Sequence, residues 1–225
     1  GIIIGIASII SIVSTIKGTN EQIKQNLIGA GNNVVRVQLY RTDYDYVYDV
    51  GSEGMPQGIS PVAEDVYQEI LELPQVEEAA VYNRRTSYNN SFYYGNRELS
   101  GCEVLGVDNS YFSTCRYVID RGRTFVPADF KEYRPVAIID SNTAEQLFQG
   151  EDPIGKTIEY ASTALVVIGV VEESNQFEPV INSIDDYYMY MGSGTAGKVF
   201  LPNAIWPSLF AYDEPQEVSV RCTHT

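Results

Sequence analysis

Residues 150–157 read G-E-D-P-I-G-K-T, which fits the phosphate-binding pattern GxxxxGK[ST] at every position. In nucleotide-binding proteins this loop joins a strand to a helix, so that backbone N–H groups and the helix N-terminus face the phosphates. Here a helix is predicted before the loop, and a strand, Thr157–Tyr160, is predicted after it. Glu151 and Asp152 would also put carboxylates where phosphates bind. We therefore predict a turn that leads into a strand, without nucleotide binding.

The residues that usually hold metals or act as nucleophiles are few. The only histidine is His224, beside the C-terminal residue, and the three cysteines, Cys102, Cys115 and Cys222, form no C-x-x-C pair. The acidic stretch within residues 40–58 lacks the glycine and terminal glutamate of an EF-hand loop. We expect no catalytic, cofactor-binding or metal-binding residues, and hence no enzyme.

The cysteines leave one alternative open. Cys102 and Cys115 could form a disulfide in an oxidising compartment, or they could stay buried as free thiols.

The charge of the chain excludes one class of partner. Asp and Glu number 30 against 15 Lys and Arg, which gives a formal net charge of −15. Nucleic-acid binding requires clustered basic residues, so we exclude DNA and RNA as partners. Hydrophobic residues make up 44% and charged residues 20% of the chain, as in ordinary globular domains.

The first sixteen residues, Gly1–Ile16, carry no charge. A helix that crosses a bilayer needs about 20 apolar residues, so this run alone is too short. It has no basic region or cleavage site typical of a signal peptide. We interpret it as the end of a membrane helix in a chain cut from a longer protein, anchored in the membrane through residues 1–16; the alternative is a buried core helix.

The same helix is predicted to continue as an amphipathic stalk over Ser14–Gly31. Apolar residues recur at intervals of three and four, with Asn20 as the one polar member of the series. This stalk seam consists of Ile9, Val13, Ile16, Ile23 and Leu27.

Beyond the stalk, strand and helix patterns mix. A strand at Val34–Leu39 is followed by a loop over Tyr40–Gly58 and a helix capped by Ser60. That helix is predicted to bury Val62, Val66, Ile70 and Leu73, to end at Pro74, and to lead into a strand at Val76–Tyr82. Strand, helix and strand in this order predict a βαβ or split βαβ unit.

The remaining chain is predicted to be rich in β-structure. A hairpin joins Phe92–Tyr94 to a strand that starts at Arg97 and extends as far as Val107. The other predicted elements are a helical turn at 109–114, a strand at 135–140, a helix at 141–148 capped by Ser141, a strand pair at 156–160 and 164–171 (the latter buried on both faces), a strand at 199–201, a short helix with Trp206 and Phe210, and a strand at 218–222.

A long polar segment, Glu173–Gly197, contains a cluster of aromatic and methionine side chains. Its members are Tyr187, Tyr188, Met189, Tyr190 and Met191. Exposed aromatic and methionine residues favour contact with a partner protein. The alternative is that they pack against their own domain.

Several short motifs occur in an order that resembles one family. They are the apolar start with its amphipathic extension, Gly106-Val107-Asp108 before Tyr111-Phe112, the pattern GRxFxxxD with Gly122, Arg123, Phe125 and Asp129, the strand at 135–140, Leu147-Phe148 before Asp152–Ile158, and Val167–Val170. Together they resemble the extracytoplasmic core domain of MacB-type ABC transporter permeases, over nearly the whole chain.

The resemblance implies an α+β fold with a stalk helix and two lobes. Residues 1–31 would be the end of the first membrane helix and the stalk. A porter-like α/β lobe, truncated at its C-terminus, would take residues 32–94 and 202–225. A β-rich lobe inserted into it would take residues 95–201.

The resemblance also implies a non-catalytic role on the extracytoplasmic side of the cell membrane. Such permeases form dimers, pair with an ABC ATPase as a separate or fused part, and pass its motion through stalk helices to export or extract substrates such as peptides outside the membrane. The alternative is an FtsX-like signalling ectodomain that docks and regulates an extracellular partner through residues 187–191. A single-pass binding protein is a further alternative.

Overall fold

The computed structural model describes residues 33–41, 46–87, 89–173 and 196–223. The predicted membrane-helix end and stalk, residues 1–31, lie outside the described residues. Elements of the described residues, in chain order, are β1 Val34–Val37, β2 Tyr40–Arg41, β3 Tyr46–Val47, α1 Val50–Glu53, α2 Glu64–Leu71, β4 Val76–Thr86, β5 Phe92–Tyr94, β6 Arg97–Leu99, β7 Glu103–Val107, α3 Asn109–Thr114, β8 Tyr117–Gly122, α4 Pro127–Lys131, β9 Val136–Asp140, α5 Ser141–Phe148, β10 Thr157–Tyr160, β11 Thr163–Glu173, β12 Lys198–Pro202, a 3₁₀ turn Asn203–Ile205, α6 Trp206–Leu209 and β13 Glu217–Cys222.

One continuous sheet organises the fold, in the order β1-β13-β4-β7-β12-β9-β11-β10-β5-β6, with β8 paired to β11. Strands β2 and β3 form a separate small pair. Pairing is mixed, since β9 and β11 are parallel, as are β7 and β12, whereas β12 and β9 are antiparallel. A mixed sheet with helices packed on it confirms the predicted α+β class.

The predicted split βαβ unit is present at one end of this sheet. Strand β13 is antiparallel to both β1 and β4, so β1 and β4 are parallel with β13 between them. Helix α2 lies in the connection between β1 and β4 and packs on β4, where the Tyr67 hydroxyl donates to the carbonyl of Ala79 at 3.1 Å.

Strand β4 is long because it serves two neighbours. Residues from Val76 to Tyr82 pair with β13, and residues Asn83 to Thr86 pair with β7. This change of partner joins the split βαβ unit to the rest of the sheet.

Two hydrophobic clusters cover opposite faces of the sheet. Neighbouring residues of a strand point to opposite faces, so Ile138 and Phe200 belong to one cluster while Ile139 and Val199 belong to the other. The first cluster is rich in aromatic rings contributed by α3 and the strands, and the second is covered by α5 and by α6 with Trp206. Most side chains in both clusters are almost completely buried.

The predicted start and buried face of the first helix are wrong. The helix begins at Glu64 rather than after Ser60, because the chain before it is held extended by a hydrogen bond from the Val62 N–H to Gln216 Oε1 at 3.1 Å. None of its residues is buried, and Val66 and Leu73 are 46% and 52% exposed.

Four smaller predictions also need correction. The helix at 141–148 is capped by Asp140, not by Ser141, since Asp140 Oδ1 accepts the Thr143 N–H at 2.9 Å. The hairpin's second strand ends at Leu99, and β7 is a separate strand that pairs with β4 and β12. The loop at 40–58 contains β2, β3 and α1. In β11, the predicted burial on both faces holds only for the second half, because the first half alternates.

Other predicted elements are confirmed, including the hairpin turn, α3, β9, β10 and β12. The loop with the phosphate-binding string is a turn that leads into β10, as predicted. Its Gly150 and Gly155 have positive φ values, and Asp152 Oδ1 accepts the Ile154 N–H at 3.2 Å. The carboxylate thus accepts one N–H group of its own turn, and other N–H groups of the turn donate to backbone carbonyls.

Among the described residues, no helix combines the length and the apolar character needed to cross a bilayer.

Candidate functional site

The residues predicted for partner contact and for the stalk seam lie outside the described residues. They are Tyr187, Tyr188, Met189, Tyr190 and Met191 in the polar segment, and Ile9, Val13, Ile16, Ile23 and Leu27 before β1. Both predictions stay predictions. The structure does describe the residues to which each of these segments is attached.

The polar segment leaves the sheet after Glu173 of β11 and re-enters it before Lys198 of β12. Asp140, at the end of the neighbouring strand β9, holds the returning chain, because its Oδ1 accepts the N–H of Lys198 at 3.0 Å as well as the cap N–H of α5. One carboxylate therefore fixes the start of a helix and the start of a strand together.

Side chains of α5 hold the same returning chain from outside. The Ala196 carbonyl accepts hydrogen bonds from Asn142 Nδ2 at 2.6 Å and from Gln146 Nε2 at 2.9 Å. On the departing side, the Ser141 hydroxyl donates to Glu172 Oε1 at 3.1 Å. We call the residues on either side of the polar segment the segment foot. They are Asp140, Ser141, Asn142, Gln146, Glu172, Glu173, Ala196 and Lys198.

A cavity of about 60 Å³ opens at the segment foot. Lys198 is its main cation: its Nζ lies 2.7 Å from the Tyr117 hydroxyl, 3.5 Å from Glu173 Oε2 and 5.4 Å from the centre of the Tyr117 ring. Burial alone would lower the pKa of Lys198, but Tyr117 and Glu173 raise it above its ordinary value. Lys198 therefore stays charged, and Glu173 balances that charge inside the cavity.

A second group of polar residues lies where β4 changes partner, and we call it the lobe junction. It consists of two adjacent arginines of β4, Arg84 and Arg85, with three buried glutamates, Glu103, Glu214 and Glu217. Glu103 is on β7, Glu217 begins β13, and Glu214 lies in the connection that precedes β13.

Glu214 and Glu217 each accept hydrogen bonds from several donors, whereas Glu103 pairs with Arg84. Arg84 pairs with Glu103 and, at 3.5 Å, with Glu217, which also accepts the Tyr82 hydroxyl at 2.9 Å. Arg85 pairs with Glu214, a residue only 2% exposed. Glutamates this deeply buried are tolerated because arginine and tyrosine donors satisfy them.

A third site lies at the start of β1 and the end of β13. The Asn33 carbonyl accepts the Cys222 N–H at 2.7 Å, and Asn33 Nδ2 donates to the Cys222 carbonyl at 2.9 Å. Arg116, in the turn between α3 and β8, donates from Nη2 to Asn33 Oδ1 at 3.0 Å. Asn33 thus contacts both β13 and the part of the chain that the sequence assigns to the inserted lobe.

The sequence analysis missed both the lobe junction and Asn33. One signal for the junction was readable: two adjacent arginines inside a strand must point to opposite faces, and each then needs an acidic partner if it is buried. Two of the partners, Glu214 and Glu217, could not be found by pattern, because they lie about 130 residues away, on either side of Pro215. The third, Glu103, lies 19 residues from Arg84.

The described residues contain no group of three or more His, Cys, Asp and Glu side chains arranged to hold a metal ion. Cys102, Cys115 and Cys222 are free, and the first two are buried, which decides the open alternative in favour of thiols.

Comparison with known families gives one match over nearly the whole chain. The model of the family described as "MacB-like periplasmic core domain" matches residues 1–221.

Curated relatives agree with that match. The chain is 31% identical over 221 residues to an uncharacterised ABC transporter permease, YvrN, of Bacillus subtilis, covering 98% of this chain and 51% of that protein. It is 31% identical over 175 residues to the macrolide export ATP-binding/permease protein MacB of Pectobacterium atrosepticum, covering 77% of this chain and 25% of that protein. The chain thus spans about half the length of the first relative and a quarter of the second.

Solved structures share the fold. The periplasmic region of MacB from Actinobacillus actinomycetemcomitans matches with a TM-score of 0.60 at 15% identity, over 89% of this chain and 79% of that one. The extracellular domain of the ABC-type transporter YknZ from Gram-positive bacteria matches with a TM-score of 0.56 at 16% identity, over 85% and 84% of the two chains.

Proposed function

The chain belongs to the family of MacB-like periplasmic core domains, and we propose that it transmits ATPase-driven motion in an ABC transporter permease. In this proposal it lies on the extracytoplasmic side of the membrane and helps to export or extract a substrate there. It carries out no chemistry itself.

The observation that carries the proposal is the contact between Asn33 and Cys222. Motion that arrives through a stalk before Asn33 must pass into the sheet, and β1, the first strand after the predicted stalk, is antiparallel to β13 with Val34 opposite Arg221. The two hydrogen bonds between Asn33 and Cys222 join the start of β1 directly to the end of β13. A displacement of the chain before Asn33 would therefore move β13 as well.

The bond from Arg116 extends this coupling beyond the split βαβ unit. Arg116 directly precedes β8, which pairs with β11, the strand that ends at the segment foot. A motion that reaches Asn33 therefore has a short polar route to β8, in addition to the route through β13.

The two lobes and the stalk belong to the same proposal. Residues 14–31 would be the stalk helix, with its seam against a second helix. The sequence predicted the lobe boundary between Tyr94 and Gly95; we propose instead that it lies inside β4, between Tyr82 and Asn83, because the strand changes partner there. The porter-like lobe would contain β1, β13 and the first half of β4. The inserted lobe would contain strands β5 to β12.

The expected partners follow from the relatives' names. YvrN is named an ABC transporter permease and MacB an ATP-binding/permease protein. We propose that this chain likewise works with an ABC ATPase and with a second permease copy, and that residues 1–16 enter the membrane.

We propose that residues 187–191 contact a protein or peptide partner outside the membrane. Support comes from the segment foot, where α5 and Asp140 fix both ends of the segment that carries them. Replacing all five residues by serine should abolish binding of the partner without lowering the melting temperature. Unchanged affinity would refute the contact role.

Motion can be measured in the complete permease with its ATPase, reconstituted in nanodiscs. A spin label carried by an unnatural amino acid at Glu69, an exposed position of α2, reports the distance between the two copies. We expect this distance to change between the ADP-bound and ATP-bound states. Asn33→Ala should at least halve the change while ATP hydrolysis stays within about twofold of the unaltered permease.

Asn96→Ala, in the exposed turn of the β5–β6 hairpin, is the matched control and should leave the distance change intact. If the unaltered permease shows no nucleotide-dependent change, the proposal is wrong. If the distance changes but no substrate is exported, the FtsX-like signalling role is the better description.

A further inference from the structure

We infer that Arg84 and Arg85 form a two-sided clamp that makes the two lobes move as one rigid body. This inference rests on the proposed function, because a rigid connection between the two lobes would carry motion from the stalk to the segment foot. The clamp itself can be tested without any transport assay.

The sheet pairing alone gives the lobes little reason to stay aligned, although α3 packs on β4 and β13 and the centres of the Tyr82 and Tyr111 rings lie 4.7 Å apart. The chain passes from the porter-like lobe to the inserted lobe through β4 and returns through residues 203–216. Between them, the sheet continues only through the four paired residues of β4 and β7 within the part of the chain that the structure describes. A single strand shared by two sheet regions can bend and twist unless side chains fix it.

On one face of β4, Arg84 joins the two lobes. Its guanidinium pairs with Glu103 of the inserted lobe and with Glu217 of the porter-like lobe. Gln38, which follows β1, donates to the same carboxylate of Glu217 at 3.1 Å. The first strand after the stalk is thereby linked through two side chains to β7.

On the opposite face, Arg85 joins β4 to the returning connection. It pairs with Glu214, whose carboxylate also accepts the Trp206 Nε1–H at 3.0 Å and the Ala211 N–H at 3.2 Å. The guanidinium of Arg85 also lies 4.4 Å from the centre of the Phe210 ring. This face is therefore closed by a salt bridge, an indole hydrogen bond and a cation–π contact.

The two arginines act together because they are neighbours in one strand. Their side chains point to opposite faces, so a bend of β4 toward one face would stretch the pair on the other. Each stretched pair would leave a buried carboxylate without its donor, which is strongly unfavourable. Bending in either direction is therefore opposed.

The charges of the clamp continue toward the segment foot. Glu103 lies opposite Lys198 in the parallel β7–β12 pair, and Lys198 contacts Tyr117 and Glu173. Side chains of alternating charge thus run from Glu217 to the end of β11.

The test uses the complete 225-residue chain in detergent micelles, with spin labels carried by unnatural amino acids at Glu69 of α2 and Glu145 of α5, both exposed. The unaltered chain should give one narrow distance distribution. Replacing both arginines by methionine should widen it by about a factor of two or more. Arg121→Met removes an arginine that pairs with Asp120 and Asp152, neither of them in the porter-like lobe, and is the matched control that should leave the width unchanged.

Because these methionine variants leave buried carboxylates without their arginine partners, a second set also removes the acidic charges: Arg84→Met with Glu103→Gln and Glu217→Gln, and Arg85→Met with Glu214→Gln. Each should also broaden the distribution at an unchanged circular dichroism spectrum. A purely structural role would lower the melting temperature and leave the width as it is, and that result would overturn the inference. So would a broad distribution in the unaltered chain. Neither result would affect the nucleotide-dependent distance change expected for the proposed function.

Discussion

Replacing Gly122 by alanine should destabilise the domain more than any ordinary glycine-to-alanine change at a turn. Gly122 ends β8 with a φ of +78°, and it lies opposite Gly169 of β11. A Cβ atom there would be 2.9 Å from Gly169 Cα and from Ile154 Cδ1, and closer still to the Ile168 carbonyl oxygen. That oxygen already accepts the N–H of Arg123 at 3.0 Å, so moving it would strain a hydrogen bond.

The magnitude has two parts. The left-handed conformation costs about 1–2 kcal/mol for a residue with a side chain. Displacing close-packed backbone atoms adds about 1–3 kcal/mol, as overpacking does elsewhere. The expected loss of unfolding free energy is therefore about 2–5 kcal/mol, a large share of the roughly 5–15 kcal/mol that keeps a typical domain folded.

Gly150→Ala separates the two parts. Gly150 has a φ of +92°, but nothing lies within 4 Å of the position its Cβ would take, so only the conformational part applies. Urea unfolding of the full chain in detergent, followed by circular dichroism, should show Gly122→Ala less stable than Gly150→Ala by about 1–3 kcal/mol. Equal losses in the two variants would refute the close-contact reasoning.

Three further predictions concern buried polar groups and thiols. Asp129→Asn should cost about 2–4 kcal/mol at pH 7, because it breaks a buried ion pair whose arginines are partly solvated. Burial raises the pKa of Asp129, but hydrogen bonds and nearby arginines lower it below its ordinary value. Ionised Asp129 therefore stabilises the unaltered chain above a pH of about 4. The difference in unfolding free energy between the unaltered chain and Asp129→Asn, measured in urea titrations, should shrink as the pH falls through the folded pKa. Equal gaps at pH 7 and pH 3 would contradict this. A thiol reagent should modify Cys222 first, whereas Cys102, whose pKa is raised by burial to about 12, and Cys115 should react only on unfolding; fast reaction of all three would contradict the described burial. Tyr82→Phe removes a hydroxyl donor from a buried glutamate and should lower the unfolding free energy by about 1–3 kcal/mol in the same urea assay, whereas no loss would mean that the bond contributes nothing.

The elements that could be predicted from sequence are those with strong local signals. The apolar runs of β9 and β11, the Gly95-Asn96 turn and the order strand, helix, strand around α2 are of this kind. Periodicity and turn chemistry act over a few residues, so one sequence suffices to detect them. The turn at residues 150–157 was predictable for the same reason, since its neighbours excluded the nucleotide-binding arrangement.

The errors occurred where a distant contact overrides the local signal. Ser60 and Pro61 are good helix-start residues, yet the chain there stays extended because Gln216 holds the N–H of Val62. Asp140 rather than Ser141 caps α5 because the same carboxylate also holds Lys198. The clamp partners Glu214 and Glu217 were beyond prediction, because the pairing of β4 with two strands is set by the whole sheet.

The motifs that carried the family resemblance have folding roles in this structure. Gly122 permits the close approach of β8 to β11, Arg123 pairs with Asp129, and the Asp129 carboxylate accepts the Val126 N–H at the start of α4. Such residues specify a corner of the domain. A match in these motifs therefore predicts the scaffold, and residues that distinguish one substrate or partner from another should lie outside them. The segment between Glu173 and Ala196 is the natural place to look, because α5, Asp140 and Lys198 fix its ends independently of what lies between them. Exchanging this segment between two permeases should exchange their partners and leave stability unchanged, whereas an unchanged partner would move the search to the exposed faces of β1 and α2.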